Sequence, residues 1–477
     1  MPHTFLTPYS SGNASEQTIR AVSQLPLSFD KSSQFLLQFQ RRQFGKQFAS
    51  LYHHRLSTLR PRVEALADAK WGLQYAKVDK VLDINDQAPC YVVGTVFCDL
   101  KYKPNILDDV ASGTYGAPPV PKETYIKSDD RSTDKILMED ESGRIVLHSK
   151  DEEFFTRHNI MVTGCVAGIL GQEVEAGVFE VFDIVYPPLS HQLPRAPSKL
   201  SGKVAFVSGL GFTEDAAPDL RLEILKGFLM GEIGDTGLAA SITRLFVAGN
   251  SIDNTQRNKN RHTDEEDMFG AKQVSNYNTT SLAKMDDWMS ELLNTMPIQL
   301  MPGESDPVDS VYPQQPWHRS LLPKCFKYVT DEGNAYFSLL SNPTWIEAPL
   351  VRMLGTSGEN VNDFFKYVFP FDLLDENTNS QQLRLSIMHQ NLRWAHLAPT
   401  CPDTLWCYPF EKEDPFIMDE LPHVYFAGNQ PRFGTMVAAF EDGKEVRLIS
   451  IPKFSSTGEV VVMDLDTLEC ECIQIVA

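Results

Sequence analysis

Four short apolar segments end in the same way, and the residues at their ends could bind a ligand or a metal ion. Each segment runs into a small residue or a proline and then a glycine. The segments are residues 204–207, 245–247, 298–301 and 424–426. The residues at their ends are Ser208, Leu210, Asn250, Glu304, Ser305, Asp306, Asn429 and Pro431. Because ligands bind at the carboxyl ends of strands in open α/β sheets, the four ends together predict one site.

Two divalent cations held at such a site would polarise a phosphate ester and generate hydroxide. That chemistry requires carboxylate and imidazole ligands, because neutral amides and hydroxyls cannot offset two dications. Of the eight residues, Glu304 and Asp306 are acidic. Leucine and proline side chains cannot ligate a metal at all. We therefore expect no catalytic residue, no metal ion and no cofactor at these strand ends.

The four strand ends resemble those of the calcineurin-like metallophosphoesterases, which carry Asp-x-His, Gly-Asp, Gly-Asn-His-Asp/Glu and Gly-His-x-His motifs there. The resemblance implies that the eight residues occupy degenerate ligand positions of an inactivated phosphoesterase domain. In this interpretation Asn250 replaces a bridging aspartate, and its amide can hydrogen-bond across the former site. The alternative is a divergent metal-dependent phosphoesterase whose ligands have moved elsewhere.

The pattern of helices and strands around this site predicts a multidomain protein of the α+β and α/β classes. We expect a five-stranded OB-type β-barrel and a calcineurin-like phosphoesterase β-sandwich flanked by helices. The predicted regions are a polar N-terminal segment (1–34), a helical region (35–76), an OB-fold (77–186), a Pro-rich linker (187–202) and an inactive phosphoesterase-like domain (203–477) with a polar insertion (253–279).

The helical region is indicated by apolar residues at helical spacing, among them Phe44, Phe48 and Leu51. Pro61 is expected to open a second helix at its first turn. The OB-fold is indicated by four or five short β-branched and aromatic runs. One of them, residues 135–150, has the pattern of a hairpin around Glu141-Ser142-Gly143.

The charge of the chain disfavours direct binding to DNA. The formal net charge is −20, and acidic residues interleave the predicted barrel strands. The basic residues cluster between Arg41 and Arg62, where a solvated helix face is the simplest explanation. Because nucleic-acid binding needs a basic face, a structural barrel is favoured over a barrel that binds single strands, which stays an alternative. No apolar run approaches the ~20 residues that span a bilayer, so we expect a cytoplasmic or nuclear protein.

The eight cysteines are expected to be reduced and buried. None of them forms a CxxC pair, so zinc-ribbon and iron–sulfur spacings are missing from the sequence. The G-x-G at residues 209–211 lacks the third glycine of a dinucleotide site, where Glu214 stands instead. No P-loop motif and no G-x-S-x-G motif occurs.

Residues 391–410 read NLRWAHLAPTCPDTLWCYPF, and the strand ends read VSGLGF, AGNSI, MPGESDP and AGNQPRF. This combination of motifs resembles the B-subunit family of replicative DNA polymerases over roughly residues 35–475. Members of that family join an OB-fold to an inactivated phosphoesterase domain. The departures from the family pattern lie in the insertion near residues 253–279 and in the polar N-terminal segment.

The resemblance implies a non-catalytic scaffold in DNA replication and repair, located in the nucleus. Such a subunit holds the C-terminal, cysteine-rich domain of the catalytic subunit and a third accessory subunit. It contacts the sliding clamp mostly indirectly, makes little or no direct contact with DNA and does not enter a membrane. The cysteine ligands of any metal cluster would then come from the partner.

Four residues of the 391–410 motif are candidate structural or interface residues: Trp394, His396, Asp403 and Trp406. His396 could be a leftover metal ligand, but a hydrogen-bonded core histidine is the favoured interpretation. Asp403 is expected to brace a turn after Pro402. The two tryptophans could be partner hot spots, although their apolar neighbours favour core packing. Residues 358–365, GENVNDFF, resemble a sliding-clamp-binding peptide and equally fit a buried helical stripe.

Overall fold

The structure of the chain is a computed structural model. Residues 254–278 of the predicted insertion, most of the predicted N-terminal segment and part of the predicted linker lie outside the residues that it describes. The described residues are 3–6, 27–38, 42–84, 88–104, 124–130, 133–151, 154–155, 159–188, 191–195, 202–214, 219–253, 279–329, 336–348, 351–370, 380–440 and 442–477.

The strands of the described residues form three sheets. Their bounds are β1 (His3–Leu6), β2 (Ala76–Lys77), β3 (Cys90–Asp99), β4 (Lys135–Glu139), β5 (Arg144–His148), β6 (Val166–Glu175), β7 (Val178–Val185), β8 (Lys203–Val207), β9 (Ile242–Ala248), β10 (Ile298–Met301), β11 (Phe337–Leu339), β12 (Thr344–Ala348), β13 (Val351–Thr356), β14 (Val424–Gln430), β15 (Gly434–Ala439), β16 (Glu445–Pro452), β17 (Glu459–Asp464) and β18 (Cys470–Ile475).

The α-helices of the described residues range from one turn to six turns in length. Their bounds are α1 (Ala49–Trp71), α2 (Leu220–Met230), α3 (Thr236–Ser241), α4 (Thr279–Leu292), α5 (Glu359–Val368), α6 (Ser380–Arg393) and α7 (Phe454–Thr457). Helices α2 and α3 begin at aspartates, Asp219 and Asp235, whose side chains accept a hydrogen bond from the first turn.

The chain divides into two compact units that do not follow the order of the sequence. The first unit consists of residues 1–40, 194–359 and 422–477. The second unit consists of residues 41–193 and 360–421. The segment 360–421 therefore belongs with the β2–β7 region, although its neighbours in sequence on both sides belong to the first unit. The predicted domain ranges stay a prediction.

The first unit contains a seven-stranded sheet and a five-stranded sheet. The strand orders are β1-β18-β17-β8-β9-β10-β11 and β12-β13-β14-β16-β15. Strands β8 to β11 run parallel, as do β13, β14 and β16. Phe206 of the larger sheet lies 4.9 Å from Phe426 of the smaller sheet, ring centre to ring centre, so aromatic side chains fill the space between the sheets.

The second unit contains a six-stranded sheet in the order β2-β3-β4-β5-β7-β6, and β6 also pairs with β3. The five strands from β3 to β7 therefore form a closed ring, with β2 added at one side of β3. Strands β4 and β5 are the predicted hairpin, which the structure confirms. Helix α1 packs Leu59 and Val63 into an apolar cluster with Tyr91 and Val93 of β3.

The prediction of two helices around Pro61 is wrong. Helix α1 is continuous from Ala49 to Trp71 and contains Pro61 in its interior. The proline leaves the carbonyl of Ser57 without its helical N–H partner, and both residues lie on the exposed face, where water can replace that bond. Phe44, whose spacing suggested a helical position, precedes α1 and is 54% exposed.

Candidate functional site

The structure brings the four strand ends of the first unit together. The hydroxyl of Ser208, after β8, accepts the N–H of Asn429 at 2.8 Å and donates to the carbonyl of Pro452 at 3.0 Å. The N–H of Gly209 donates to the carbonyl of Gly249, after β9, at 2.8 Å. Direct hydrogen bonds therefore connect strand ends that are more than 200 residues apart in sequence.

Two asparagines connect the remaining strand ends through their side-chain amides. The amide of Asn429 donates to the carbonyl of Ala248 at 3.2 Å and to that of Ser357 at 2.8 Å. The amide oxygen of Asn250 accepts the N–H of Ser305 at 3.0 Å. Both asparagines have a φ of 54°, in the left-handed region where asparagine is several-fold enriched among non-glycine residues. This backbone requirement was missed in the sequence, although each asparagine directly follows a glycine.

Asp306 is 1% exposed and directs both carboxyl oxygens at the backbone. One oxygen accepts the N–H of Gly303 at 2.8 Å, and the other accepts the N–H of Ile252 at 3.0 Å. Burial raises the pKa of Asp306 to about 7, although the backbone N–H donors act to lower it. This carboxyl group therefore holds the turn after β10 against the segment after β9.

We call Ser208, Asn250, Ser305, Asp306 and Asn429 the strand-end cluster. The other three predicted positions lie apart from it. Leu210 is fully buried in the apolar core, whereas Glu304 and Pro431 are exposed. Glycines permit the close approach of the ends: a Cβ atom added at Gly428 would lie 2.4 Å from the carbonyl oxygen of Ala248.

The strand-end cluster offers amide, hydroxyl and backbone groups, with Asp306 as its single acidic member. Within the described ranges, no three histidine, cysteine, aspartate or glutamate side chains lie close enough to hold a metal ion. The eight cysteines are free thiols, and all but Cys470 are buried. The chemistry that this geometry supports is hydrogen bonding between strands.

A second buried polar group lies in the second unit. His396, Asp414 and Arg55 of α1 are each at most 5% exposed, and we call them the buried ion group. The Oδ2 atom of Asp414 lies 2.8 Å from Nε of Arg55 and 2.8 Å from Nε2 of His396. Arg55 also donates to the carbonyls of Pro399 at 2.6 Å and Cys401 at 3.0 Å.

The buried ion group contains one positive and one negative charge, which compensate each other. Burial and the neighbouring Arg55 lower the pKa of His396 to about 4, so the imidazole is neutral at pH 7. Burial acts to raise the pKa of Asp414, but His396 and Arg55 hold it well below its usual value. One arginine and one carboxylate therefore form the ion pair, and His396 is a hydrogen-bonded core histidine, as expected from the sequence.

Among the basic residues of α1 and the segment before it, Arg55 departs from the solvated face that the sequence suggested. Arg55 is fully buried, and three other basic residues of this stretch lie beside acidic groups. Lys46 lies 3.0 Å from Glu411, Arg60 lies 3.7 Å from Asp140, and Arg62 lies 2.6 Å from Asp419. The acidic partners of Lys46, Arg55 and Arg62 come from 411–419, a stretch that sequence patterns did not connect with α1.

The two tryptophans of the 391–410 motif differ in their environments. Trp394 is fully buried, with its ring 5.3 Å from that of Phe364, so the core-packing interpretation is confirmed there. Trp406 is 45% exposed, so core packing is the wrong interpretation for this residue. Asp403 accepts hydrogen bonds from Lys103 at 2.9 Å and Tyr367 at 3.2 Å. It therefore connects its turn to the segment that follows β3 and to α5.

The peptide-like segment 358–365 forms the start of α5, and its apolar residues face the interior. Val361 and Phe364 are fully buried, and Phe365 is 3% exposed. The buried-stripe interpretation therefore describes this segment in the isolated chain. In the described part of the chain, no helix combines the length and the apolar character needed to cross a membrane.

Two family models and several relatives match this chain. Residues 204–435 match the family of the B subunits of DNA polymerases alpha and epsilon, and residues 47–184 match the DNA polymerase delta subunit OB-fold domain. The chain is 40% identical to the DNA polymerase delta small subunit of Saccharomyces cerevisiae, over 94% of this chain and 93% of that one. It is 32% identical to DNA polymerase delta subunit 2 of Drosophila melanogaster, over 90% and 93% of the two chains. It is 33% identical to the small subunit from Oryza sativa, again over 90% and 93%.

These matches define the class of protein as the B-type subunits of DNA polymerases, which are generally non-catalytic accessory subunits. The prediction from the sequence motifs is thereby confirmed. Within this class, the chain belongs to the family of DNA polymerase delta small subunits.

Proposed function

We propose that this chain is the non-catalytic scaffold subunit of a DNA polymerase delta holoenzyme that acts in DNA replication and repair. The observation that carries the proposal is the strand-end cluster, where amide and hydroxyl groups bond to one another and to the backbone. In a chain related over nearly its whole length to polymerase delta small subunits, this cluster supports an assembly role rather than phosphate chemistry.

The proposal includes a finer description of the two folds. The closed ring of β3 to β7 supports an OB-type barrel of five strands within residues 77–186. The facing sheets of the first unit support a phosphoesterase-like sandwich within residues 203–477, reached through the linker 187–202. We further propose that the eight predicted positions are former ligand positions. Six of them hold amides, hydroxyls, a leucine or a proline where cations would need carboxylates and imidazoles, and Glu304 and Asp306 are the two acidic members.

The partners we propose are the C-terminal, cysteine-rich domain of the polymerase delta catalytic subunit and a third accessory subunit. Contact with the sliding clamp would be mostly indirect, since the apolar residues of segment 358–365 are buried. Little direct contact with DNA is expected, because the net charge is −20 and the basic groups of α1 lie beside acidic groups. A nuclear location follows from this role.

The test is co-expression of the full chain with the catalytic subunit's C-terminal domain and with the third subunit. A stable ternary complex that elutes together on size exclusion is the expected result. Failure of the chain to associate with either partner would overturn the scaffold proposal. The purified chain is also assayed with manganese and a generic phosphodiester, and hydrolysis that is lost on Asp306→Ala would favour a phosphoesterase instead.

A further inference from the structure

The sheets of the first unit have four outer edges, and β15 differs from the other three. Strands β1 and β11, at the edges of the larger sheet, contain four and three residues. The edge strand β12 is bridged by Ser28, which exchanges two backbone hydrogen bonds of 2.9 Å with Glu347. Strand β15 contains six residues, and within the described ranges no strand pairs with its outer side.

Strand β15 also lacks the features that protect sheet edges in stable free proteins. Its sequence, GTMVAA, contains no charged residue and no proline. Its pairing with β16 is regular from Gly434 to Ala439, without a bulge. Natural edge strands are normally short, charged, interrupted or covered, because a long regular edge is a template for another strand.

The register shows which backbone groups of β15 point outwards. The N–H of Phe440 donates to the carbonyl of Lys444 at 3.0 Å, at the start of the β15–β16 ladder. Hydrogen-bonded pairs alternate along an antiparallel ladder, so Ala438 bonds towards β16 while Val437 and Ala439 present their N–H and C=O groups to the outer side. The side chains of Val437 and Ala439 are also exposed, Val437 to 43%.

We propose that the β15 edge docks an extended segment of a partner subunit, which adds a strand to the five-stranded sheet. Main-chain hydrogen bonds would give affinity, and apolar side chains of that segment would pack beside Val437 and Ala439. The inference deepens the proposed scaffold function and rests on it.

Charge determines the kind of segment that fits this edge. A second copy of the chain would bring another net charge of −20 to the same contact, which opposes association. Arg447 and Glu445 lie opposite Val437 and Ala439 in the register, so the local charges on this face are balanced. A partner segment that is apolar at the edge and basic overall therefore fits best.

The first test is hydrogen exchange on the full chain, alone and in the complex with the catalytic and third subunits. The outward amides of Val437 and Ala439 should exchange at least about tenfold more slowly in the complex, because new hydrogen bonds protect them. Strand β16 is the matched internal control, and its protection should change little. A stable complex with unchanged exchange at β15 would overturn the docking site and leave the scaffold function intact.

The second test compares two substitutions at one position. Val437→Pro removes the outward N–H, a change that edge strands tolerate, and should weaken assembly by about tenfold or more. Val437→Ala keeps the N–H and should weaken it by less than about threefold. Equal effects of the two variants would contradict backbone docking. If β15 is protected in the chain alone, and more so at higher chain concentration, the occupant is a second copy of the chain and the proposal is overturned. If no complex forms at all, the scaffold function fails and this inference fails with it.

Discussion

The strand-end cluster of the first unit and the buried ion group of the second unit both place polar atoms in the interior, but by different means. The strand-end cluster distributes its hydrogen bonds over several amide, hydroxyl and backbone groups and one carboxyl group, such as the bonds from Asn429 to two carbonyls. The buried ion group concentrates its bonds on one carboxylate, Asp414, between Arg55 and His396. Loss of one member should therefore be a local defect in the first case and should leave a bare buried charge in the second.

The largest effect is expected from breaking the buried ion pair. Arg55→Ala leaves Asp414 ionised and buried without its cation, so the free energy of unfolding should fall by about 3–5 kcal/mol. Urea denaturation followed by circular dichroism measures this loss. The double variant Arg55→Met, Asp414→Leu is the control and should recover most of the stability, since no charge stays buried. A single-variant loss below about 1 kcal/mol would show that the pair is not desolvated.

A pH titration should separate the two regions because their ionisable groups respond in opposite directions. His396, with a folded pKa of about 4, binds its proton more readily in the unfolded chain, so acidification from about pH 6.5 to 4 removes stability, of order 3 kcal/mol. Asp306, with a folded pKa of about 7, binds its proton more readily in the folded chain, so the same acidification adds stability.

Two variants resolve these opposing contributions in unfolding measurements at several pH values. His396→Gln keeps a side-chain N–H for Asp414 but cannot titrate, so the loss of stability on acidification should become smaller. Asp306→Asn removes the compensating group, so that loss should become larger. A pH profile that neither substitution alters would contradict the assignment of the two pKa shifts.

Within the strand-end cluster, Asn429→Asp should be the more harmful of two matched substitutions. It replaces an amide that donates to the carbonyls of Ala248 and Ser357 with a carboxylate that repels both. The expected loss is about 2–3 kcal/mol, from two acceptors without partners and a buried charge. Thermal unfolding provides the measurement, and Asn429→Gly is the control, because it keeps the left-handed backbone while removing the amide.

Asn250→Asp should be milder, at about 1–2 kcal/mol, because an aspartate can still accept the N–H of Ser305. The loss arises from a second carboxylate near the buried Asp306. We expect no gain of metal binding and no phosphodiesterase activity, as measured by calorimetry with manganese and by hydrolysis assays. Tight binding of a divalent ion by this variant would contradict the interpretation that the strand-end cluster serves hydrogen bonding and holds no metal.

The smallest effect is expected for Arg62→Ala, on the same helix as Arg55. Arg62 lies 2.6 Å from Asp419, but the Asp419 side chain is 73% exposed. Water screens such a pair, so the unfolding free energy should change by less than about 1 kcal/mol. A loss as large as that of Arg55→Ala would show that position on α1, rather than burial, determines the effect.

Features encoded by neighbouring residues were predictable from the sequence. The β4–β5 hairpin and the strands that lead to Ser208, Asn250 and Asn429 follow from local apolar runs and turn residues. The meeting of the strand ends followed from a general property of parallel sheets.

Features that depend on distant residues were not predictable in this way. From the sequence, Arg55 resembles the other basic residues of α1 and is expected at the surface. Its burial depends on Asp414, which lies 359 residues later in the chain. Trp406 has apolar neighbours in sequence, yet its ring is half exposed. In a helix, a proline usually occurs in the first turn, so Pro61 suggested a helix start. The exposed position of Ser57 explains why the helix continues through it. Tertiary contacts determined each of these outcomes.

The buried ion group has a consequence for synthesis on the ribosome. Arg55 leaves the ribosome early, whereas Asp414 lies 359 residues later, in the segment of the second unit that is translated last. Until then, the helix that carries Arg55 cannot bury this side chain without an uncompensated charge. The buried ion group therefore cannot form before segment 360–421 has been translated, and in a fragment limited to residues 47–184 Arg55 lacks its carboxylate partner.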